Sequence, residues 1–201
     1  MSAREAMSAV ILCGGHSRRM GRDKAGLAWG DGTLLDAMLR ALSGLDEVYL
    51  SVDRDRFPRC TCRAVEDRYP GSGPLGGICS ALQACETPLL FVSGCDMPLV
   101  TGAVAYALRE RIPPHAEAAV PQDASGRVHP LCTIYRQTAV SGMVQQLQSG
   151  DFRLVNALRR MNTVYVPAET LPGGETVLAN LNTPNEYAAL LKKVRGDYSN
   201  P

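Results

Sequence analysis

Ala9-Val10-Ile11-Leu12-Cys13-Gly14-Gly15 is a run of five apolar residues that ends in two adjacent glycines. So short a run, closed by glycine, reads as a buried strand feeding a tight turn. Working outward, Leu34, Leu35, Met38, Leu39 and Leu42 recur at helical spacing, and residues 48–52 form a second apolar strand closed by charge. The opening is therefore β–α–β. The pattern repeats with a helix at 77–84 opened by Pro74, a strongly apolar strand at 89–93 and a helix at 101–111. Such alternation predicts a mainly parallel sheet with helices on both faces. Beyond residue 116 the signal weakens. Strands are expected at 118–121 and 131–135 around Asp123-Ala124-Ser125-Gly126, a helix at 137–148, a strand at 164–166 and a last helix at 185–194. With 201 residues and no repeat or linker, one domain over 1–195 and a loose tail at 196–201 are expected.

Composition narrows the function. Hydrophobic residues are 45% and charged residues 20%, a globular balance, and 21 basic against 20 acidic residues leave a net charge of +1. No global field favours nucleic acid or an anionic membrane, so function must be local. No apolar run approaches the ~20 residues that span a bilayer, and no targeting segment is evident; a cytoplasmic protein is expected. The seven cysteines are odd in number and scattered. Reduced thiols acting as small buried hydrophobes are expected, because the Cys60-x-Cys62 pair lacks partners at zinc spacing.

The richest chemistry follows the first strand. After the paired glycines, Arg18, Arg19, Arg22 and Lys24 crowd together with only Asp23 opposing. Glycines let backbone N–H groups converge on one concavity, and the cations complete a polyphosphate cradle. Charge alone would also suit a solvated basic turn; the glycines favour the cradle. Gly21 is followed by Arg22-Asp23, not by the Lys-Ser/Thr of a Walker A loop. Asp96 follows the apolar run 89–93, at the strand end where open α/β sheets bind ligands. A hard carboxylate there suits Mg²⁺, which takes one or two carboxylates plus phosphate oxygens. The alternatives are a cap on the helix near 101 or a solvated acid. Gly71-Ser-Gly-Pro-Leu-Gly76 also satisfies the G-x-G-x-x-G dinucleotide fingerprint. The residues before it, Glu66-Asp67-Arg68-Tyr69-Pro70, make a poor strand, and a dinucleotide reading leaves the basic first loop without a task.

Leu-x-Gly-Gly-x-Ser-x-Arg-Met-Gly-x-Asp-Lys over 12–24 resembles the opening signature of the MobA-like nucleotidyltransferases. Gly73-Pro74-Leu75-Gly76-Gly77 resembles the family's Gly-Pro-Leu-Ala-Gly loop, Cys95-Asp96-Met97-Pro98 its metal-binding loop, and Asn180-Leu-Asn-Thr-Pro184 its Asn-x-Asn-Thr-Pro element. The resemblance implies a Rossmann-like three-layer α/β/α fold of the nucleotide-diphospho-sugar transferase type. It also implies transfer of GMP from GTP to molybdopterin with release of pyrophosphate. The GTP site would comprise Leu12, Cys13, Gly14, Gly15, Lys24, Ser51, Asp67 and Asp96, with Arg19, Lys24 and Asp96 catalytic and Asp96 holding Mg²⁺. Cys13 stands where alanine is commoner and Ser51 where asparagine is usual. Ser51 reads equally as an ordinary strand residue and Asp67 as a turn residue, although a carboxylate matches the paired donors on a guanine edge. His129, in a His-Pro pair similar to the family's, is assigned with Asn180 and Asn182 to the molybdopterin side; a structural histidine is the alternative for the first, and the asparagines read as turn residues or as amides projecting toward metal and substrate phosphate. Apo-molybdoenzymes or other proteins of cofactor assembly are the further partners implied.

The chemistry expected is in-line attack by the terminal phosphate of molybdopterin on the α-phosphorus of GTP. Two anions must meet, so cations and fixed dipoles carry the catalysis and no general base is required. Rival readings are a relative using CTP, one activating a sugar phosphate, and a module that holds GTP or molybdopterin without transferring anything.

Overall fold

A computed structural model describes residues 5–13, 24–51 and 62–197, the last six of these by backbone alone. Seven strands form one sheet in the order β5-β4-β1-β6-β8-β7-β9. They are β1 Met7–Leu12, β4 Val48–Ser51, β5 Arg63–Val65, β6 Leu89–Gly94, β7 Ala118–Gln122, β8 Cys132–Arg136 and β9 Thr163–Pro167. β1 pairs in parallel with both β4 and β6, β4 with β5 and β7 with β9, whereas β8 runs antiparallel to β6 and β7. The mainly parallel sheet is thus present, with β8 as its reversed strand.

The helices are α1 Leu34–Leu42, α2 Pro74–Ala84, α3 Gly102–Arg109, α4 Val140–Gln148, α5 Leu154–Arg160 and α6 Pro184–Asp197. Alternation along β1 explains the layering. Met7, Ala9 and Ile11 pack into a core with Met38 and Leu42 of α1 and Val104 and Leu108 of α3. Val10 and Leu12 face the opposite core, shared with Leu75, Ile78 and Leu82 of α2, Met143 of α4 and Leu158 of α5. A sheet covered on both faces needs apolar residues at every position of its central strands, and β1 and β6 are buried throughout. A third, smaller cluster joins Trp29, Leu34 and Leu181 with Tyr187, Leu190 and Leu191. It fastens α6 to a hairpin of β2 Ala28–Trp29 and β3 Gly32–Thr33.

Several expectations are refined. The hairpin and α5 carry too few periodic residues to be read from sequence, and the helix expected at 137–148 begins as a 3₁₀ turn over Gln137–Ala139. α6 continues through Asp197, so Gly196 belongs to the helix and not to a tail; no proline interrupts it, and residues 198–201 lie outside those described. Cys13, Cys79, Cys85, Cys95 and Cys132 are reduced thiols. Cys62 is disulfide-bonded, which corrects the expectation that all seven are reduced. Cys60, the other half of the Cys-x-Cys pair, lies outside the described residues. No described helix is long and apolar enough to cross a membrane.

Candidate active site

Register brings the site together. Leu12 lies opposite Ser51 on one side and Gly94 on the other, and Ser51 lies opposite Val65. Four parallel strands therefore end on one line. The chain proceeds from β1 to β4 and β5, then crosses to β6 on the far side of β1, which makes the β1/β6 boundary a topological switch point. Ligands of open α/β sheets sit outside the strand ends at such a point. The ladder extends one residue past the strands, with the Cys95 N–H donating to the Leu12 carbonyl and the Cys13 N–H to the Ser51 carbonyl, each at 3.1 Å.

Asp96 hangs over this edge. Its carboxylate folds back across Gly94, where a Cβ would stand 2.8 Å from Asp96 Oδ1. Lys24 Nζ donates to Asp96 Oδ2 at 3.1 Å and to Asn182 Oδ1 at 3.0 Å. The side chains of Lys24 and Asp96 are 14% and 21% exposed, so the ion pair is shielded yet reachable. Two observations hold Asn182 in place. The Leu181 N–H donates to the Asp96 carbonyl at 2.8 Å, and Glu186 accepts from the N–H groups of Asn182 and Thr183 at 2.7 and 2.9 Å. With Thr183 Oγ1 accepting from the Glu186 N–H, this is a capping box at the start of α6. The N–H donors of Asn182 and Thr183, aided by the nearby Lys24 charge, hold the Glu186 carboxyl below its ordinary range.

The residues suit a divalent cation. No group of three or more histidine, cysteine, aspartate or glutamate side chains gathers as a metal cage among the described residues. Mg²⁺ does not require one, because a single carboxylate with neutral oxygens, waters and substrate phosphates suffices. Asp96 supplies the carboxylate and Asn182 an amide oxygen. Asn180 Oδ1 is buried without a hydrogen-bond partner among the described residues, an acceptor left over beside the same segment.

On the β4/β5 side the N-terminus of α2 closes in. A Cβ on Gly77 would lie 3.0 Å from Ser51 Oγ and 3.4 Å from Leu12 Cδ2, so glycine lets the helix approach both strand ends. Gly73, with φ +63°, turns the chain into Pro74 at the first turn. Asp67 Oδ1 accepts from the Tyr69 N–H at 2.9 Å and lies 3.4 Å from Ser80 Oγ, while Oδ2 is unbonded among the described residues. Asp67 is thus a turn residue with one oxygen to spare. The Gly71–Gly76 fingerprint covers the turn before α2 and the helix's first three residues and is not a strand-to-helix crossing, since β5 ended at Val65.

On the other side the β7–β8 loop presents His129. Its Nε2 lies 3.2 Å from Asp123 Oδ2. Asp123 is pulled down to about 2, most strongly by the Ser125 hydroxyl, with His129 and the Arg127 and Ser125 amides adding to it against an upward push from burial. Sequence reading missed this partner, although Asp123 six residues before the histidine was visible. The loop meets the Asp96 corner through the Gly94 N–H, which donates to the Leu131 carbonyl at 3.0 Å.

Leu12, Cys13, Lys24, Ser51, Asp67, Asp96, His129, Asn180 and Asn182 thus border one edge of the sheet. Gly14, Gly15 and Arg19 lie outside the described residues.

The fold is the Rossmann-like α/β/α fold of the nucleotidyltransferases. The MobA-like NTP transferase domain matches residues 9–164, and the chain belongs to that family. A probable molybdenum cofactor guanylyltransferase of Bacillus velezensis is 32% identical, covering 92% of this chain and 94% of its own length. One of Chloroflexus aggregans is 35% identical over 90% and 91%. Among solved structures, molybdopterin-guanine dinucleotide biosynthesis protein A from Archaeoglobus fulgidus superposes with a TM-score of 0.84 at 23% identity, covering 94% of this chain and 99% of its own. A 2-C-methyl-D-erythritol 4-phosphate cytidylyltransferase from Thermus thermophilus shares the fold more distantly, with a TM-score of 0.63 at 20% identity over 92% and 98%.

Proposed function

We propose that the protein transfers GMP from GTP to the terminal phosphate of molybdopterin in the cytoplasm, with Mg²⁺ as the resident metal. The contact that carries this reading is Lys24 Nζ on Asp96 Oδ2 at 3.1 Å, made across 72 residues of sequence at the switch point of the sheet. The relatives' names favour guanylyl transfer to molybdenum cofactor, and nucleotide binding at the β1/β6 edge agrees with the general rule for such sheets.

In the reaction an oxygen of the molybdopterin phosphate forms a new bond to the α-phosphorus of GTP as the α–β anhydride bond breaks, and pyrophosphate leaves with the electron pair. The attacking phosphate is already ionised, so the protein need not remove a proton. It must bring two anions together, which calls for fixed positive charge. Lys24 and Arg19 neutralise the triphosphate, and the amides of Gly14 and Gly15 orient it. Asp96, with Asn180 and Asn182, would hold Mg²⁺, which would supply charge neutralisation at the transferring phosphoryl group. Ser51 and Asp67 border the base, and Asp67 Oδ2 is free to accept from paired donors on a guanine edge. His129 lies toward the acceptor.

The test is product mass after incubation with GTP, Mg²⁺ and molybdopterin. The guanine dinucleotide and pyrophosphate are expected. Preference for CTP would overturn the choice of base, and GTP binding without a dinucleotide would overturn transfer. Asp96→Asn should lower turnover by on the order of 10²–10³ in a protein that still folds; full Mg²⁺-dependent turnover in that variant would refute the role given to Asp96.

A further inference from the structure

We infer that Lys24 is the place-holder of the divalent cation, so that metal and nucleotide enter the site together. The inference rests on the metal reading of Asp96. Its basis is that one ammonium already holds the oxygens a metal would use, Asp96 Oδ2 at 3.1 Å and Asn182 Oδ1 at 3.0 Å. Both are hard oxygen acceptors, one charged and one neutral, the donor set that suits Mg²⁺ as well as it suits an ammonium. The segment is braced from behind by the Leu181–Asp96 backbone hydrogen bond and by the α6 capping box, so the two oxygens do not drift apart when the ammonium leaves.

A dication and an ammonium cannot share these oxygens. Within about 4 Å a dication and an ammonium repel each other, so metal alone must displace Lys24 from both the Asp96 carboxylate and the Asn182 amide. A triphosphate changes the balance. Its oxygens give Lys24 a new partner and offer the metal further ligands, so nucleotide and metal each remove an obstacle to the other. Linkage makes this coupling reciprocal: metal tightens nucleotide by the factor by which nucleotide tightens metal. In the free protein the ammonium keeps Asp96 from standing as an uncompensated, half-buried charge.

The experiment is a calorimetric titration of the free protein with Mn²⁺ as metal probe, with and without a GTP analogue that resists cleavage between the α- and β-phosphorus. The wild type should bind Mn²⁺ weakly alone and much more tightly with the analogue. Lys24→Gln and Lys24→Met should bind Mn²⁺ at least about tenfold more tightly than wild type without nucleotide, and the nucleotide-dependent gain should shrink by a similar factor. Adding Asp96→Asn to Lys24→Gln should abolish the increase, which assigns it to competition for that carboxylate. Unchanged metal affinity in both Lys24 variants overturns the place-holder while leaving Asp96 as metal ligand. An increase that survives Asp96→Asn also overturns it. Failure of the wild type to bind Mn²⁺ even with the analogue removes the metal reading and the inference together.

Discussion

Single residues at the sheet edge are chosen as much for what they lack as for what they carry. Gly94 has no side chain because the Asp96 carboxylate occupies the space a Cβ would need, 2.8 Å from Oδ1. Gly94→Ala should therefore push the carboxylate away from Lys24 and cut turnover by about 10- to 100-fold, a loss of roughly 1.4 to 2.7 kcal/mol in transition-state stabilisation. Thermal unfolding should fall only slightly, since the clash is with the end of a side chain; steady-state kinetics beside a melting curve would separate the two. At this scale the sequence was informative where chemistry and chain position coincide. Asp96 could be placed at the sheet edge because it follows a strand buried throughout. The partner of His129 could not, because Asp123 belongs to a loop whose register depends on the antiparallel turn into β8.

Elements show the same division. β1, β6, α1 and α2 were legible because both faces of a central strand, and one face of each helix, must be apolar whatever the neighbours. β5 was not: Arg63 and Ala64 are exposed on an edge strand, so no burial pattern marks it. Nor could the reversal of β8 be read, since an apolar strand carries no label for its direction. α2 illustrates a departure from the family loop with a local cause. Gly76 stands where alanine is usual, and a Cβ there would lie 2.7 Å from Ser72 Oγ and 2.8 Å from the Tyr69 carbonyl. Ser72 donates its hydroxyl to that carbonyl, filling the space. Gly76→Ala should destabilise the protein by about 1–3 kcal/mol, as overpacking does, and shift α2 away from Ser51. Chemical denaturation gives the first effect and a raised KM for GTP the second. Pairing the change with Ser72→Ala leaves the Tyr69 carbonyl and Cβ in the way and should recover part of the loss.

At the scale of the molecule, the edge opposite the site is tied by Arg136. Its guanidinium, almost wholly buried, makes a bidentate pair with Glu5 at 2.6 and 3.1 Å and donates through Nε to the Ala116 carbonyl at 3.0 Å. The hydrogen bond from Arg136, reinforced by its charge and only partly offset by burial, holds the Glu5 carboxyl below its ordinary range. A group depressed in the folded state contributes stability above its unfolded pKa and loses it as pH falls through the folded one. Arg136→Met should cost about 1–3 kcal/mol at neutral pH, through the Ala116 carbonyl left without a donor and the Glu5 pair lost. The gap from wild type should narrow as pH drops below the glutamate range; melting temperatures of both proteins from neutral to acid pH would reveal a gap that stays constant instead. The amide that accepts from Lys24 is 158 residues away along the chain. A ribosome therefore delivers the ammonium and its carboxylate long before Asn182, and domains tend to fold as they emerge. A nascent chain halted before Leu181 would carry all seven strands of the sheet but not the amide that closes the Lys24 corner.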